Sequence, residues 1–337
     1  MKKFIGSLIL LALFLSFYSC KEKQSKKRSS GGTLEILVAT DSQEQWKGKT
    51  GDTIRRLFGQ YLPGLPMAEE AFSLIQLESY KLYNDPLYQP HHAILIVHID
   101  PILQKPAMQV EKDFWAEPQL IIKVSSPSDT GLFRILTTYY PAMHKMYREV
   151  EKKRIVNLFS TNPAKKIQDK ISNKFGFEML IPGGFNVARE ENDFLWVRQT
   201  IRRKKQDTDL GFMIYRRPYR STYQLKSESI LALRDTLLKR FVPGMFEGTY
   251  MSTSYDVILP ESKEISDFPA NKFAVEIRGL WKVMGDFMGG PFISYTFTTP
   301  DNKELITIEG YLYNPNNDQK KYMLQLEAMI YTTHFKQ

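Results

Sequence analysis

Residues 272–298 read as two strands and a tight joint. Phe273, Val275, Ile277, Gly279, Trp281 and Val283 alternate with Lys272, Ala274, Glu276, Arg278, Leu280 and Lys282. After Pro291, residues Ile293, Tyr295 and Phe297 alternate with Ser294, Thr296 and Thr298. A period of two places one set of side chains on a buried sheet face. The intervening GDFMGGP is then a hairpin connection whose glycines, Gly289 and Gly290 among them, supply φ > 0. A phosphate cradle needs a strand followed by a helix whose first amides point at the anion. Here a strand follows, and neither G-x-G-x-x-G nor the Walker lysine occurs.

Met284, Phe287 and Met288 fall in this joint, close to Trp281 and Asp286. Large adaptable apolar side chains in a loop suit a partner-binding surface, and folding back onto the end of the core is the alternative. The outward face of the sheet is expected to carry Glu276, Arg278 and Lys282 beside Ser294, Thr296 and Thr298. Thr307, Glu309, Tyr311 and Tyr313 would add a third row. Such a face is either solvated or suited to glycans and peptides. The candidate partner-binding residues are therefore Arg278, Trp281, Met284, Asp286, Phe287, Met288, Glu309 and Tyr311.

The rest of the chain alternates strand and helix patterns. LEILVAT (34–40), 72–77, 93–99 and 119–124 are apolar runs of strand type, followed by a long helical stretch at 129–159 with Pro141 inside it. A second series gives strands at 194–201, 210–218, 273–283, 292–298 and 305–313, with helices at 229–241 and 319–331. DTIRRLFGQYLPGL and DTLLKRFVPGM echo one another. The expectation is an α+β protein of two lobes, 33–160 and 161–337, each an antiparallel sheet with helices on one face. An internal duplication would explain the echo. On a helical wheel Glu327 falls among Met323, Leu324, Leu326 and Ile330, so it is expected to face the core and to need a partner.

Catalytic signals are sparse. The five histidines form no H-E-x-x-H, no G-x-S-x-G occurs, and no carboxylate pair stands out. His92 and His98 are six strand residues apart, about 20 Å, too far to share a metal. No catalytic residue, metal or cofactor is expected. The run Ile201–Asp209 with Tyr215–Arg220 is the one basic cluster of the body, either an anion-attracting strip or a charged hairpin tip.

The N-terminus reads as an export signal. Lys2 and Lys3 precede the apolar stretch Phe4–Tyr18, and Ser19 stands before Cys20, the only cysteine of the chain. This resembles a lipobox, with Phe17 where leucine is usual. Residues 1–19 are then a lipoprotein signal peptide, and residues 20–32 a lipidated basic tether ending in the hinge Gly31–Gly32. The net charge of +9 resides largely in these segments: five basic residues and one acidic lie in 20–32, and the body from Thr33 carries 39 against 36. That excess favours headgroups over nucleic acid. With Cys20 acylated, no thiol remains for catalysis, zinc or a disulfide.

ALRDTLLKRFVPGMFEGTYMST, EIRGLWKVMGDFMGGPF, IEGYLYNP and QLEAM closely resemble the signature stretches of a Bacteroidetes lipoprotein family named as domain of unknown function 4837. The resemblance implies an envelope lipoprotein and brings no activity or catalytic residue. A lipid anchor in the outer membrane facing the periplasm is expected, with the cell surface as the alternative. Lys21-Glu22 partly matches a surface-export signal of that phylum, from which Lys23 departs. The expected function is a non-catalytic binding or assembly component touching an envelope protein or glycan, with a hydrolase of envelope glycans or peptides as the alternative. Metabolic labelling with a palmitate analogue should mark the wild-type chain and leave Cys20→Ala unmarked.

Overall fold

The structure, a computed structural model, describes residues 26–204 and 206–336. The expected signal peptide and Cys20 lie outside the described residues.

The N-terminal lobe is a five-stranded sheet of β1 (Glu35–Thr40), β2 (Ser73–Glu78), β3 (Ala93–Ile99), β4 (Ala107–Lys112) and β5 (Leu120–Ser126) in the order β2-β1-β3-β5-β4. Four of these strands are parallel, and only the edge strand β4 runs antiparallel. The antiparallel sheet expected for this lobe is thus corrected, and the physical reason is visible in the sequence. ILVA, AILIV and LII are continuous apolar runs, as strands buried on both faces require. One face packs on α1 (Lys49–Phe58) and α2 (Asp129–Phe159) through Ile54, Phe58, Leu132, Leu136 and Tyr147. The other packs on Leu82 of the short helix Ser79–Asn84 and on Trp115. Ser128 opens α2 by accepting a hydrogen bond from the Gly131 amide, a standard helix N-cap.

The C-terminal lobe begins with α3 (Lys165–Phe175). Its sheet comprises β6 (Asn186–Glu191), β7 (Phe194–Ile201), β8 (Thr208–Pro218), β9 (Tyr250–Ser254), β10 (Glu261–Phe268), β11 (Lys272–Met284), β12 (Gly289–Thr298) and β13 (Glu304–Tyr313). It is antiparallel throughout, in the order β9-β11-β12-β13-β8-β7-β6, with β10 sharing the outer edge of β11 with β9. Helix α4 (Ser227–Phe241) covers one face, and α3 with the last helix α5 (Lys320–Ile330) covers the other. Both sheets are therefore covered on both faces, where one covered face was expected. The α+β class holds. The two sheets differ in strand order and sense, so the equivalence expected between the halves is not seen in their topology.

Helix α5 joins the lobes. Met323, Leu326, Met329 and Ile330 enter the C-terminal core while Leu324 and Ala328 enter the N-terminal one. Its N-terminus is held by Glu69 of the N-terminal lobe, whose carboxylate accepts the amides of Gln319 at 2.8 Å and Lys320 at 3.0 Å. A carboxylate there satisfies orphan donors and complements the helix dipole.

The 272–298 segment is the hairpin that the alternation predicts, with Trp281 opposite Gly290 and Lys282 opposite Gly289. The reason for its two paired glycines is corrected. Left-handed backbone belongs to Gly285 (φ +85°), and neither Gly289 nor Gly290 has positive φ. They provide space instead. The Trp281 indole crosses β12 at Gly290 and donates to the Leu312 carbonyl at 3.1 Å. A β-carbon on Gly290 would lie 2.0 Å from that oxygen, and one on Gly289 2.8 Å from the Trp281 carbonyl. Gly290→Ala should therefore cost about 3 kcal/mol, as overpacking of a tight core does. Gly285→Ala should cost about 1 kcal/mol from its φ alone. Urea denaturation of the two variants measures the difference.

Candidate functional site

Three places hold the sequence-predicted residues and the remaining unusual chemistry. The first is the tip of the β11–β12 hairpin. The Val283 amide donates to the Met288 carbonyl at 2.8 Å, closing a turn in which Gly285 reverses the chain. Met284 and Phe287 are exposed, while Asp286 and Met288 are half-buried. Behind the tip lies a cleft of about 360 Å³ walled by Met67, Val257, Leu280, Trp281, Met288 and Pro315. Trp281 is buried and forms its floor. The loop 243–249 lies against the turn, since a β-carbon on Gly285 would meet the Thr249 side chain and one on Gly244 the Val283 side chain. That loop exposes Met245 and Phe246, and the next exposes Val257 and Leu259. Three connections thus present large apolar side chains near one end of the C-terminal lobe.

The expected polar sheet face does not exist as one surface. Glu276 is paired with Tyr295 and Arg278 with Ile293, which fixes them on the face covered by α5. Thr307, Glu309 and Tyr311 lie on the opposite face, with Ser294 and Thr296 beside them, under α4. A one-residue difference in register sends side chains to opposite faces. Glu309 is wholly buried and takes a bidentate pair of bonds from Arg234 at 2.7 Å each, and Arg234 lies 3.9 Å over the Phe292 ring. Burial pushes the Glu309 carboxyl up, and the Arg234 charge opposes it. Tyr311 is also buried, accepting from Trp196 Nε1 at 3.0 Å and donating to Asp209 at 3.1 Å. Both are internal supports of the sheet, so of the eight candidates only Met284, Asp286, Phe287 and Met288 share the accessible tip.

The expected basic strip is undone by register as well. Arg198 stands opposite Gly211, five residues along β8 from Arg216, which is about 17 Å. Arg198 pairs with Asp209, and Arg216 with Asp193 and Glu304.

The remaining place is where Glu327 points, and the candidate Arg278 meets it there. Between the lobes runs a cleft of about 820 Å³ lined by Tyr140, His144, Arg148, Glu276, Arg278 and Tyr331, among others. At its base Glu327 of α5 receives Arg148 of α2 at 2.7 Å and Arg278 of β11 at 2.9 Å, with Lys152 at 3.7 Å. Arg278 also holds Glu276 at 2.7 Å, and the Tyr295 hydroxyl donates to Glu276 at 2.6 Å. Burial alone would raise the Glu327 carboxyl, but Arg148, Arg278 and Lys152 hold it far below the usual carboxylate range. His144, packed on Phe72 and Tyr140, is pushed down to about 4 by burial and by Arg148, so it is neutral at pH 7. Among the described residues no group of three or more His, Cys, Asp or Glu is arranged to hold a metal ion.

Such an assembly of a parallel sheet and a two-face-covered antiparallel sheet, joined by one shared helix, defines a two-lobed α+β protein. The chain belongs to the family described as Domain of unknown function (DUF4837), whose model matches residues 164–332, half of the chain. A second model, described as Domain of unknown function (DUF8532), matches residues 29–160. No curated protein matches the sequence.

Removing Glu327 leaves three cations facing each other in a partly buried site. Glu327→Gln should lower stability at pH 7 by about 3–5 kcal/mol, the usual cost of breaking a buried ion pair. Because the folded carboxyl is depressed, its contribution is present above the unfolded value near about 4.3 and is lost as pH falls below it. Wild-type stability should therefore drop more steeply than that of Glu327→Gln between about pH 5 and pH 2, as followed by denaturation at each pH.

Proposed function

We propose that the chain is an envelope lipoprotein of the Bacteroidetes type, anchored through lipid on Cys20. It acts as a non-catalytic binding or assembly component that engages an envelope protein through the Met284–Met288 hairpin. The observation that carries this reading is Phe287, whose relative exposure of 106 % leaves a full phenyl ring in water at the tip of the hairpin. Exposed aromatic and methionine side chains beside an apolar cleft are the usual composition of an adaptable contact. Among the described residues no helix is long and apolar enough to cross a membrane.

One observation favours a second reading, hydrolysis of envelope glycans or peptides. A single Arg278 nitrogen reaches Glu276 at 3.3 Å and Glu327 at 2.9 Å, which puts the two carboxylate oxygens within about 6 Å, close to glycosidase spacing. Against it, such a pair needs one carboxyl with a raised proton affinity, and the three cations around Glu327 act in the opposite direction.

A photocrosslinker at position 287, activated in living cells, should capture a protein. Phe287→Ser with Met288→Ser should reduce capture by the rest of the hairpin several-fold while leaving the melting temperature nearly unchanged. Strong destabilisation by Phe287→Ser, or capture of glycan alone, would refute the reading.

A further inference from the structure

The start of the described chain is docked, and this fixes which surface lies near Cys20. Lys26 Nζ donates to the Asp113 carbonyl, and Lys27–Arg28 pair in parallel with Ala116–Glu117. The Ser30 amide donates to the Pro90 carbonyl at 2.8 Å, and the His92 amide to the Ser30 carbonyl at 3.0 Å. The Gly31 carbonyl accepts from Arg154 at 2.7 Å, and a β-carbon on Gly31 would strike the His91 ring. The expected hinge at Gly31–Gly32 is therefore a packed turn, held by two histidines that are themselves paired, His91 with Glu35 and His92 with Glu151. Five residues separate Cys20 from Lys26. Six Cα steps span at most about 20 Å.

The surface at this docking point is unusual in composition. Trp115 stacks edge-on against Phe114 at 5.0 Å and Tyr83 at 6.2 Å. Phe114 is 57 % exposed, Tyr83 49 % and Leu87 73 %. Gln119 ties these segments together, accepting from the Trp115 amide at 2.8 Å and donating to the Gln89 carbonyl at 2.6 Å. Exposed Lys26 reaches the Asp113 carbonyl beside Phe114, and exposed Lys27 and Lys112 lie in the same segments, where Glu111 is paired with Lys123 and exposed Asp85 and Glu117 offset part of the charge. Aromatic rings with a polar handle, flanked by lysines, favour the headgroup zone of a bilayer. Each basic residue adds attraction to anionic lipid.

We infer that this end of the N-terminal lobe, bearing Leu87, Phe114 and the Trp115 cluster, rests on the membrane that holds the lipid of Cys20. The inference depends on the lipoprotein reading, because the short leash is what brings the face to the bilayer. The rings would enter the headgroup boundary by about 5–10 Å, as interfacial apolar faces do.

The test uses the full chain purified from its membrane, with Cys20 acylation checked by mass, in vesicles of phosphatidylethanolamine and phosphatidylglycerol. A polarity-sensitive fluorophore is placed at Phe114→Cys, at Leu87→Cys as an independent reporter, or at Ile102→Cys. Ile102 is 91 % exposed and follows β3 at the opposite end of the parallel strands. Nitroxide-bearing lipid should quench the labels at 114 and 87 several-fold more strongly than the label at 102. An acylated chain whose three labels respond alike overturns the proposed face and leaves the anchor intact. A chain without acyl groups on Cys20 overturns the anchor and the face together. Crosslinking of positions 87 and 114 to a second copy, without lipid quenching, would replace the membrane by self-association and overturn the proposal as well.

Discussion

Glu327 is the point on which the two lobes depend. It sits on a helix whose buried apolar side chains enter both cores, and it draws Arg148 and Lys152 from one lobe and Arg278 from the other. A buried carboxylate with three cations is costly to desolvate and contributes little net stability over a well-packed apolar contact. Its effect is on geometry. Only one seating of α5 brings Glu327 within reach of Arg148 and Arg278, and the same seating places the first amides of the helix on Glu69. An apolar replacement would tolerate sliding, whereas charges left unpaired at low dielectric would not.

The C-terminal sheet shows the same use of polar groups inside a core. With helices on both faces, its central strands have no solvated side, so Glu309, Tyr311, Thr296 and Thr307 must find partners within. Arg234 satisfies Glu309, Trp196 and Asp209 satisfy Tyr311, and the two threonines share a bond of 2.8 Å. Filling both faces in this way leaves the connections at the end of the sheet as the accessible apolar surface. A rigid sheet presenting variable loops is a common basis for recognition. The hairpin tip is positioned by the Trp281 indole locked across β12, so Phe287 is displayed from a fixed base.

Of the strands that the sequence reading passed over, β9 (YMSTS) is mostly buried and short, and the other three share one property. AMQVEK, NVAREE and ESKEISDF, the strands β4, β6 and β10, lie at sheet edges or outer rims and are mostly exposed. Charged edge strands guard against edge-to-edge pairing, and that same polarity erases the apolar alternation by which a strand is recognised. Helix α3 was passed over as well, although Ile167, Ile171 and Phe175 fall at a spacing of four; Gly176, at φ +78°, ends it.

What the sequence alone determined is local. Apolar period set the positions of α2, β3, β7 and the β11–β12 hairpin within a residue or a few, because each depends on neighbours within one turn or one pleat. The inward direction of Glu327 was equally a matter of its own helix. Tertiary structure decided everything that requires knowing what lies across a gap. It set the parallel sense of the N-terminal strands, the faces to which Arg278 and Glu309 point, and the three cations that meet Glu327. It also decided that Gly290 serves an indole crossing from β11 to Leu312 rather than a turn. Pairing register and partner identity are long-range quantities, and no window of sequence contains both sides of the contact.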